Sequence, residues 1–360
     1  MNIPKKLKTV MIEITDKCNL RCRHCMNRPD SNNIEMSVNE VHFILKKIDE
    51  YGVEKVYFSG GEPLLHSNIS SIISLCEAYP DIIFVITTNG LLLTENIMKE
   101  IELQNNLTLQ FSVDGVSKNV YEAIRGCNTF DTFLDKINIW RSSNIKQGLA
   151  RTCINKYNVK EIESIYTFCL NNRLIPSFLF VDALGNGKQN WGELDTTLAE
   201  KIGCIGEINR LNLKHNCSVL PPEAPATCNF TEGGGISSLL IRSGGRVAPC
   251  QFFYDDSVGN IFTDSIYDIL TNPWLQEHIV LSAKRKEYLE KTAKCQQCKI
   301  REGCHFGCVG KANELGDIYS YDGQCELRVL TTICYSNRLI TYCDDVRKRN
   351  VVSPEMEENE

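Results

Sequence analysis

Short apolar segments alternate with amphipathic segments of helical period through the first half of this chain. The apolar segments are rich in β-branched residues and predict strands at Leu7 to Thr15, Val53 to Ser59, Ile82 to Thr87, Leu107 to Val113, Gly148 to Ile154 and Ile175 to Val181. Helical patterns fill the intervals, at Ser37 to Tyr51, Ile69 to Tyr79, Glu95 to Leu103, Lys118 to Ile124, Thr129 to Ser142 and Lys160 to Asn171. This alternation predicts βα units in an α/β fold with a parallel sheet and right-handed crossovers.

Four loops that directly follow predicted strands carry polar residues or cysteines. They are a loop with three cysteines, Gly60 to Pro63, Thr87 to Gly90, and Ser112 to Gly115. The C-terminal ends of parallel strands lie at one rim, and parallel barrels place their chemistry there. We therefore expect these four loops to converge.

The pattern changes after the last predicted strand. A Gly- and Asn-rich connection spans Ala183 to Trp191, and one long helix is predicted from Asp195 to Leu213. From His215 onward helical periodicity fades and cysteines become frequent. The predicted units are accordingly a barrel (1–190), a linking helix (191–214), a cysteine-rich domain (215–345) and an acidic disordered tail (346–360).

The composition is that of an ordinary soluble protein except for its cysteines. The 360 residues are 42% hydrophobic and 23% charged, and a net charge of -6 argues against a nucleic-acid surface. The sequence shows neither the apolar segment of a secretory signal nor an apolar run long enough to cross a membrane. Without a signal, the 18 cysteines are better explained as metal ligands or reactive thiols than as disulfides, which predicts a cytoplasmic location.

Cys18, Cys22 and Cys25 form a C-x3-C-x2-C motif after the first predicted strand. Three thiolates on so short a tether suit an iron-sulfur cluster, zinc or copper(I). In a four-iron cluster, one iron would lack a cysteine and be open to a small molecule. A structural zinc site with His24 or a distant fourth ligand is the alternative, although no second cysteine pair follows before Cys76.

The other rim residues have both chemical and plain structural interpretations. Gly60 and Gly61 allow close approach of a ligand, and Glu62 can accept hydrogen bonds from an ammonium group; a tight turn with a solvated glutamate is the alternative. Arg125 can pair with a carboxylate, helped by the Ser112 hydroxyl, or it can be a surface arginine at a helix end.

A second group of cysteines lies in the C-terminal third. Gly245 and Cys250 form a G-x4-C motif that Cys228 precedes, and five more cysteines follow at Cys295, Cys298, Cys304, Cys308 and Cys325. Seven cysteines in this order are far more specific than one CxxC pair. Paired zinc ribbons are the alternative.

Together the rim motifs resemble those of the radical SAM enzymes. The resemblance implies a partial (βα)6 barrel whose three-cysteine loop holds a 4Fe-4S cluster, with S-adenosylmethionine chelating the open iron through its amino and carboxylate groups. It also implies cofactor contacts: the amino group near Gly60, Gly61, Glu62 and Pro63, the ribose near Thr88 and Asn89, and the carboxylate near Ser112 and Arg125. For His24 the resemblance allows two roles: its ring packs near the adenine, or the residue is purely structural.

The C-terminal region resembles the SPASM extension of radical SAM enzymes that modify peptides and proteins. The resemblance implies two auxiliary 4Fe-4S clusters, and hence three clusters in the chain. The implied ligands are Cys217, Cys228, Cys250 and Cys308 for the first auxiliary cluster, and Cys295, Cys298, Cys304 and Cys325 for the second. The spacing between Cys217 and Cys228 is longer than expected, so substrate is an alternative ligand at that iron.

The reaction implied by the resemblance is reductive cleavage of S-adenosylmethionine to a 5′-deoxyadenosyl radical that abstracts hydrogen from a substrate. We expect a ribosomally synthesised, leader-bearing peptide that receives a crosslink, a thioether or an epimerised residue. Gln251 stands where sulfatase-maturing relatives have an acidic residue, which argues against formylglycine formation, and Asp255 and Asp256 are the candidate bases. The alternatives are dehydrogenation of a small molecule or of Ser or Cys in a protein, and a zinc-stabilised binding module.

Partners follow from the same resemblance. A flavodoxin or ferredoxin is the expected reductant, and neither nucleic acid nor a membrane is an expected partner. Only about six residues precede the first predicted strand. Leader recognition is therefore expected to use the barrel, the extension or a separate protein.

Overall fold

A computed structural model describes residues 7–26, 33–223, 236–301, 304, 306–329 and 331–332 of the chain. Cys228 and the predicted acidic tail, 346–360, lie outside the described residues. No helix in the described part of the chain combines the length and the apolar character that a membrane span needs.

Six parallel strands form most of one sheet, and each is hydrogen-bonded to its neighbour in chain order. They are β1 (Thr9–Thr15), β2 (Lys55–Gly60), β3 (Ile83–Thr88), β4 (Leu107–Ser112), β5 (Gly148–Ile154) and β6 (Leu174–Phe180). The predicted parallel α/β architecture is confirmed. The strand ends fall within about two residues of the predicted ones because long β-branched runs are a strong local signal.

Helices connect these strands and pack against them through apolar residues. They are α1 (Val38–Asp49), α2 (Ile69–Leu75), α3 (Glu95–Glu102), α4 (Lys118–Arg125), α5 (Phe130–Arg141) and α6 (Ile162–Asn171). At the start of α1, Ser37 and Glu40 form a capping box in which each side chain accepts the backbone N–H of the other. The buried residues of this helix recur at helical spacing, at Val41, Ile44, Leu45 and Ile48.

The structure adds helices after β6 and shifts one predicted helix. The Gly- and Asn-rich connection contains α7 (Gly185–Gln189), and α8 (Trp191–Leu194) begins at its last residue. The long helix begins later than predicted, because α9 (Leu198–His215) starts at a capping box of Thr197 and Glu200. The C-terminal third, where helical periodicity fades, nevertheless contains α10 (Ile266–Leu270), α11 (Pro273–Glu290), α12 (Ala293–Gln296) and α13 (Val309–Glu314).

The C-terminal third is joined to the parallel strands by backbone pairing, which the sequence pattern did not predict. β7 (Ser238–Ile241) pairs in parallel with β1, and β8 (Arg246–Ala248) and β9 (Gly259–Asn260) extend the sheet in antiparallel order. Gly245 has a φ of +82° in the tight turn between β7 and β8, a backbone conformation that favours glycine. Cys250 lies two residues after β8, so this pairing places the G-x4-C motif near β1.

A partly buried chain of ion pairs also connects the two parts of the molecule. Lys311 on α13 lies 3.0 Å from Asp182, which follows β6, and 2.8 Å from Glu223. Glu223 is 3.6 Å from Arg328, whose second partner is Asp322 at 2.6 Å. Burial lowers the pKa of Lys311, but Glu223 and Asp182 outweigh it and raise the pKa, so the ammonium group stays charged.

We expect Lys311→Met to destabilise the protein by about 3 kcal/mol, the lower end for buried pairs, because two partly buried carboxylates, Asp182 and Glu223, lose their cation. Lys188→Met is the matched control, since Lys188 and Glu314 form an exposed pair between the same parts of the chain, of a kind worth about 0–1 kcal/mol. Denaturant unfolding measures both effects. Equally small effects of the two substitutions would contradict the role given to Lys311.

Candidate functional site

A cavity of about 270 Å³, which we call the central cavity, is lined by all six parallel strands. The strands contribute Met11, Ser59, Thr87, Gln110, Arg151 and Leu179 in chain order. A flat sheet would not bring its first and sixth strands to one cavity, so the sheet is curved, as expected for the predicted partial barrel. The loops predicted to share one rim meet at this cavity.

The cysteine loop (Cys18 to Cys25) forms one side of the central cavity, and all three of its cysteines line it. Asn186 on α7 donates from Nδ2 to the Cys22 carbonyl oxygen at 3.1 Å. Burial raises the pKa of the Cys22 thiol, while Arg125, whose Nη1 lies 3.8 Å from its sulfur, lowers it. Among the described residues, no three His, Cys, Asp or Glu side chains surround a point that would hold a single metal ion. Three soft thiols that line one cavity are ligands suited to an iron-sulfur cluster.

Gly60 and Gly61 are required by close contact with the backbone that leads into the cysteine loop. A Cβ on Gly61 would lie 2.1 Å from the Lys17 carbonyl oxygen, and one on Gly60, whose φ is +115°, would lie 2.1 Å from that of Thr15. The N–H of Gly61 donates to the Thr15 carbonyl at 2.8 Å, and the N–H of Glu62 donates to the Lys17 carbonyl at 2.8 Å. These hydrogen bonds fix the loop after β2 against the cysteine loop.

Glu62 is buried, and its carboxylate already binds protein donors. It accepts hydrogen bonds from Thr88 Oγ1 at 2.6 Å and from the backbone N–H groups of Asn89 at 2.7 Å and Leu64 at 3.0 Å. Burial raises the pKa of Glu62, although the hydrogen bonds from these donors lower it. Asn89 also donates from Nδ2 to Asn19 Oδ1 of the cysteine loop at 2.8 Å. The predicted amino-group and ribose contacts therefore form one hydrogen-bonded unit, and a ligand ammonium group would share Glu62 with these donors.

Asp114 joins two predicted site residues, His24 and Arg125, although it was not itself predicted. Its Oδ2 lies 2.6 Å from His24 Nε2 and 2.8 Å and 2.5 Å from Nε and Nη2 of Arg125, while Oδ1 accepts the Cys153 N–H at 2.7 Å. Burial raises the pKa of Asp114, but Arg125 and then His24 outweigh it and hold the pKa well below its usual range. Arg125 is thus a buried, neutralised cation whose Nη1 points to Cys22. The feature of the sequence that could have identified Asp114 as a site residue is its position, two residues after the end of β4.

Glu13 is a second buried carboxyl group that the sequence reasoning missed. It lies on β1, lines a pocket with the cysteine loop and Tyr254, and is 3.6 Å from Arg242 Nε and 3.4 Å from Tyr254 Oη. The Arg242 guanidinium donates to Tyr254 Oη at 2.5 Å and stacks 3.6 Å above the tyrosine ring. Burial raises the pKa of Glu13 to about 7, with Arg242 opposing it. The feature of the sequence that could have identified Glu13 is a charged residue within an otherwise apolar strand.

Glu13 is expected to make stability fall as the pH rises. Its pKa in the folded state is raised, so its contribution is fully present below the unfolded pKa and is lost as the pH rises through about 7. Glu13→Gln should therefore gain stability relative to the wild type between about pH 5 and about pH 8, by up to about 3 kcal/mol. Denaturation midpoints at both pH values measure this gain, with Glu77→Gln at an exposed position as the control. A difference that does not change with pH would refute the prediction.

The remaining predicted residues of the barrel site divide into two groups. Ser112 and Gln251 line the central cavity, and Pro63 is buried as the first residue of a short 3-10 helix. Asp255 and Asp256 are not among the residues that line it, and Asp255 is exposed. The role of these two aspartates as bases stays a prediction.

The four cysteines predicted for the second auxiliary cluster come together in space. A cavity of about 460 Å³, the C-terminal cavity, is lined by Cys295, Cys298, Cys304 and Cys325. Burial raises the pKa of Cys325 to about 11, so binding of a metal group at this site would release protons from its thiols. Four thiols around one cavity fit a cluster that is fully ligated by cysteine.

The structure brings together only some of the four cysteines predicted to bind the first auxiliary cluster. Cys250 and Cys308 directly precede two short helices that contact each other, a 3-10 helix and α13. Cys217 follows α9, and its thiol donates to the His215 carbonyl oxygen at 3.4 Å. Cys228 lies outside the described residues. The membership of Cys217 and Cys228 in this set therefore stays a prediction.

Comparisons with known proteins agree with this geometry. Residues 12–169 match the model of the Radical SAM superfamily, and residues 228–299 match SPASM, an iron-sulfur cluster-binding domain. GTP 3',8-cyclase of Clostridium perfringens is 27% identical over 219 residues, which are 58% of this chain and 68% of the relative. The structure of anSMEcpe with bound AdoMet and Cp18Cys peptide matches with a TM-score of 0.75 at 17% identity, over 94% of this chain and 99% of that one. Streptococcus suis SuiB bound to precursor peptide SuiA matches with a TM-score of 0.68 at 15% identity, over 90% and 76% of the two chains.

Proposed function

Because the chain belongs to the radical SAM superfamily and carries a SPASM iron-sulfur domain, we propose that it cleaves S-adenosylmethionine reductively and modifies a ribosomally synthesised peptide. The observation that carries this proposal is the central cavity, which is lined by the cysteine loop, by all six strands and by Gln251 of the C-terminal third. A substrate in this cavity would contact both the radical source and the SPASM part of the chain. A peptide is supported by the two structural neighbours that were solved with bound peptides.

The cysteine loop is proposed to hold a 4Fe-4S cluster through Cys18, Cys22 and Cys25. Together with S-adenosylmethionine, a bound cluster supplies a 5′-deoxyadenosyl radical that abstracts hydrogen from the substrate. Arg125 Nη1, next to the Cys22 sulfur, is suited to the carboxylate of that cofactor. The other cavity residues orient the substrate and exclude water, which is the contribution that the protein makes to such chemistry.

Two auxiliary 4Fe-4S clusters complete the proposal and bring the total to three. The second is assigned to the four cysteines of the C-terminal cavity, and the first to Cys250 and Cys308 together with Cys217 and Cys228. Each turnover needs an electron from outside the chain, for which a flavodoxin or ferredoxin is proposed. The domain limits predicted above and a cytoplasmic location are retained as predictions.

The proposed modification is a crosslink, a thioether or an epimerisation. Gln251 lines the cavity at the position where sulfatase-maturing relatives have an acidic residue, which argues against formylglycine formation. Asp255 and Asp256 stay the proposed bases, and Glu13 is added as a third candidate proton acceptor, because it is buried in a pocket that it shares with the cysteine loop and Tyr254. Its raised pKa suits a group that exchanges a proton near neutral pH.

The test begins with anaerobic reconstitution by iron and sulfide, followed by incubation with S-adenosylmethionine, a reductant and each short peptide that a small open reading frame beside the gene encodes. Mass spectrometry should show a peptide that has lost hydrogen atoms or changed the stereochemistry of a residue. Release of 5′-deoxyadenosine with an unaltered peptide would contradict the peptide assignment. A protein that retains zinc but takes up no iron would contradict the cluster assignment.

A small-molecule substrate is the second candidate, and the identity to GTP 3',8-cyclase supports it. This candidate predicts that GTP, or another small molecule, stimulates 5′-deoxyadenosine formation in the absence of peptide. Stimulation by peptide alone would exclude it.

A further inference from the structure

Two arginine side chains line the central cavity, Arg125 and Arg151, and their surroundings differ. Arg125 is neutralised by the buried Asp114, with which it makes contacts of 2.8 Å and 2.5 Å. Arg151, on β5, forms neither a salt bridge nor a side-chain hydrogen bond with any residue that the structure describes. The cavity therefore contains one guanidinium that has no ion-pair partner among the described residues.

The elements that surround Arg151 offer hydroxyl and thiol groups rather than carboxylates. In the sheet register Arg151 lies between Ser112 of β4 and Ser177 of β6, whose side chains share its face. Burial lowers the pKa of Arg151, and the groups that oppose this effect are Tyr57 of β2 and Cys153. A guanidinium does not give up its proton in proteins, so the site keeps a positive charge.

The two carboxylates that line the same cavity are already engaged. Both oxygens of Asp114 have partners, since Oδ2 binds Arg125 and His24 and Oδ1 accepts a backbone N–H. Both oxygens of Glu62 accept hydrogen bonds as well. Asp114 is neutralised by Arg125, and neither carboxylate forms an ion pair with Arg151 in the described part of the chain.

A partly buried charge without a counter-charge is costly, and an incoming anion removes that cost. We propose that Arg151 binds a carboxylate group of the substrate at the wall of the central cavity, and so makes the enzyme selective for an acidic substrate. This inference rests on the proposed function for its substrate, but the site itself does not depend on the reaction. The carboxylate is either an Asp or Glu side chain or the C-terminus of the peptide.

The cofactor carboxylate is a less suitable partner for Arg151. Arg125 already points its Nη1 at Cys22 of the cysteine loop, 3.8 Å from the sulfur. That loop follows β1, whereas Arg151 lies on β5 beside Ser112, the other predicted contact of the cofactor carboxylate, so the test of Arg151 includes cofactor binding. We call the part of the central cavity beside the cysteine loop and Arg125 the cofactor side.

The site is tested first with minimal probes, in reconstituted protein saturated with S-adenosylmethionine so that the cofactor side is filled. N-acetylglycine and N-acetylglycinamide differ in one carboxylate, and ligand-observed NMR measures the binding of each. We expect the acid to bind about tenfold or more tightly than the amide, as for other charged hydrogen bonds. Arg151→Gln should remove this preference and Arg151→Lys should retain part of it, while Arg141→Gln, the same change at an exposed position, should keep it. An unchanged preference in Arg151→Gln would overturn the proposal.

The source of the carboxylate is tested with the encoded peptide that the wild type modifies. Each Asp and Glu is replaced in turn by Asn or Gln, and a separate peptide carries a C-terminal amide. One of these changes should raise KM about tenfold in the wild type and have no further effect in Arg151→Gln, because both remove the same pair. Additive effects of every peptide change with Arg151→Gln would refute the pairing.

Two further outcomes distinguish a failure of the inference about Arg151 from a failure of the proposed function. Weaker binding of S-adenosylmethionine by Arg151→Gln, with the probe preference intact, would overturn the inference by assigning Arg151 to the cofactor. If the wild type modifies no peptide, the proposed function fails, and the NMR probes still decide the role of Arg151.

Discussion

Cys22→Ala should abolish 5′-deoxyadenosine formation, whereas Cys298→Ala should keep it and lose the modified product. Cys22 is buried in the cysteine loop beside Arg125, where loss of one of three thiols leaves too few ligands for the proposed cluster. Cys298 instead lines the C-terminal cavity with three other cysteines, and no cysteine of the cysteine loop is among the residues that line it. Its loss therefore removes an auxiliary cluster without removing the radical source.

The two variants are compared by iron content and by chromatography of 5′-deoxyadenosine and peptide. Each variant should bind about four irons fewer than the wild type, but only Cys22→Ala should lose cleavage of S-adenosylmethionine. Cys127→Ala is the matched control, because Cys127 is exposed and belongs to neither cysteine group. Equal loss of cleavage in Cys22→Ala and Cys298→Ala would refute this division of roles.

Local patterns were sufficient to predict the strands and the convergence of their loops. β5 has the predicted bounds, Gly148–Ile154, and the capping box at Ser37 starts α1 as expected. Cysteine spacing was equally informative for the C-terminal cavity, since ligands of one cluster are usually close in the chain. Signals of this kind are local, so a single sequence contains them.

The pairing of strands that are far apart in the chain left no such local pattern in the sequence. β7 is only four residues long, and its partner β1 lies more than two hundred residues earlier in the chain, so the pattern did not show that the C-terminal third extends the barrel sheet. Arg125 shows the same limit for side chains. At a helix end followed by glycine it resembles a surface arginine, but in the structure it is buried and paired with Asp114.

The second large effect, a loss of stability, is expected for Asp114→Asn because of the charges around Asp114. The substitution keeps the shape of the side chain but leaves the buried Arg125 without its anion and removes a partner of His24. Breaking a buried pair by removing one partner costs about 3–5 kcal/mol, since the remaining charge stays desolvated. The freed guanidinium would also lose the contact that aims Nη1 at Cys22, so the affinity for S-adenosylmethionine should fall as well.

The effect of Asp114→Asn should depend on pH in a defined direction. The pKa of Asp114 is lowered in the folded state, so its contribution is fully present above the unfolded value, near 3.9, and is lost as the pH falls through the lower folded pKa. Asp131→Asn is the matched control, because Asp131 pairs with Lys118 on the surface, where solvent screens the interaction. Denaturation midpoints at neutral and acid pH, together with binding of S-adenosylmethionine, measure both variants. If Asp114→Asn cost no more than Asp131→Asn at neutral pH, the Asp114–Arg125 pair would not be the buried contact on which the cofactor side of the cavity depends.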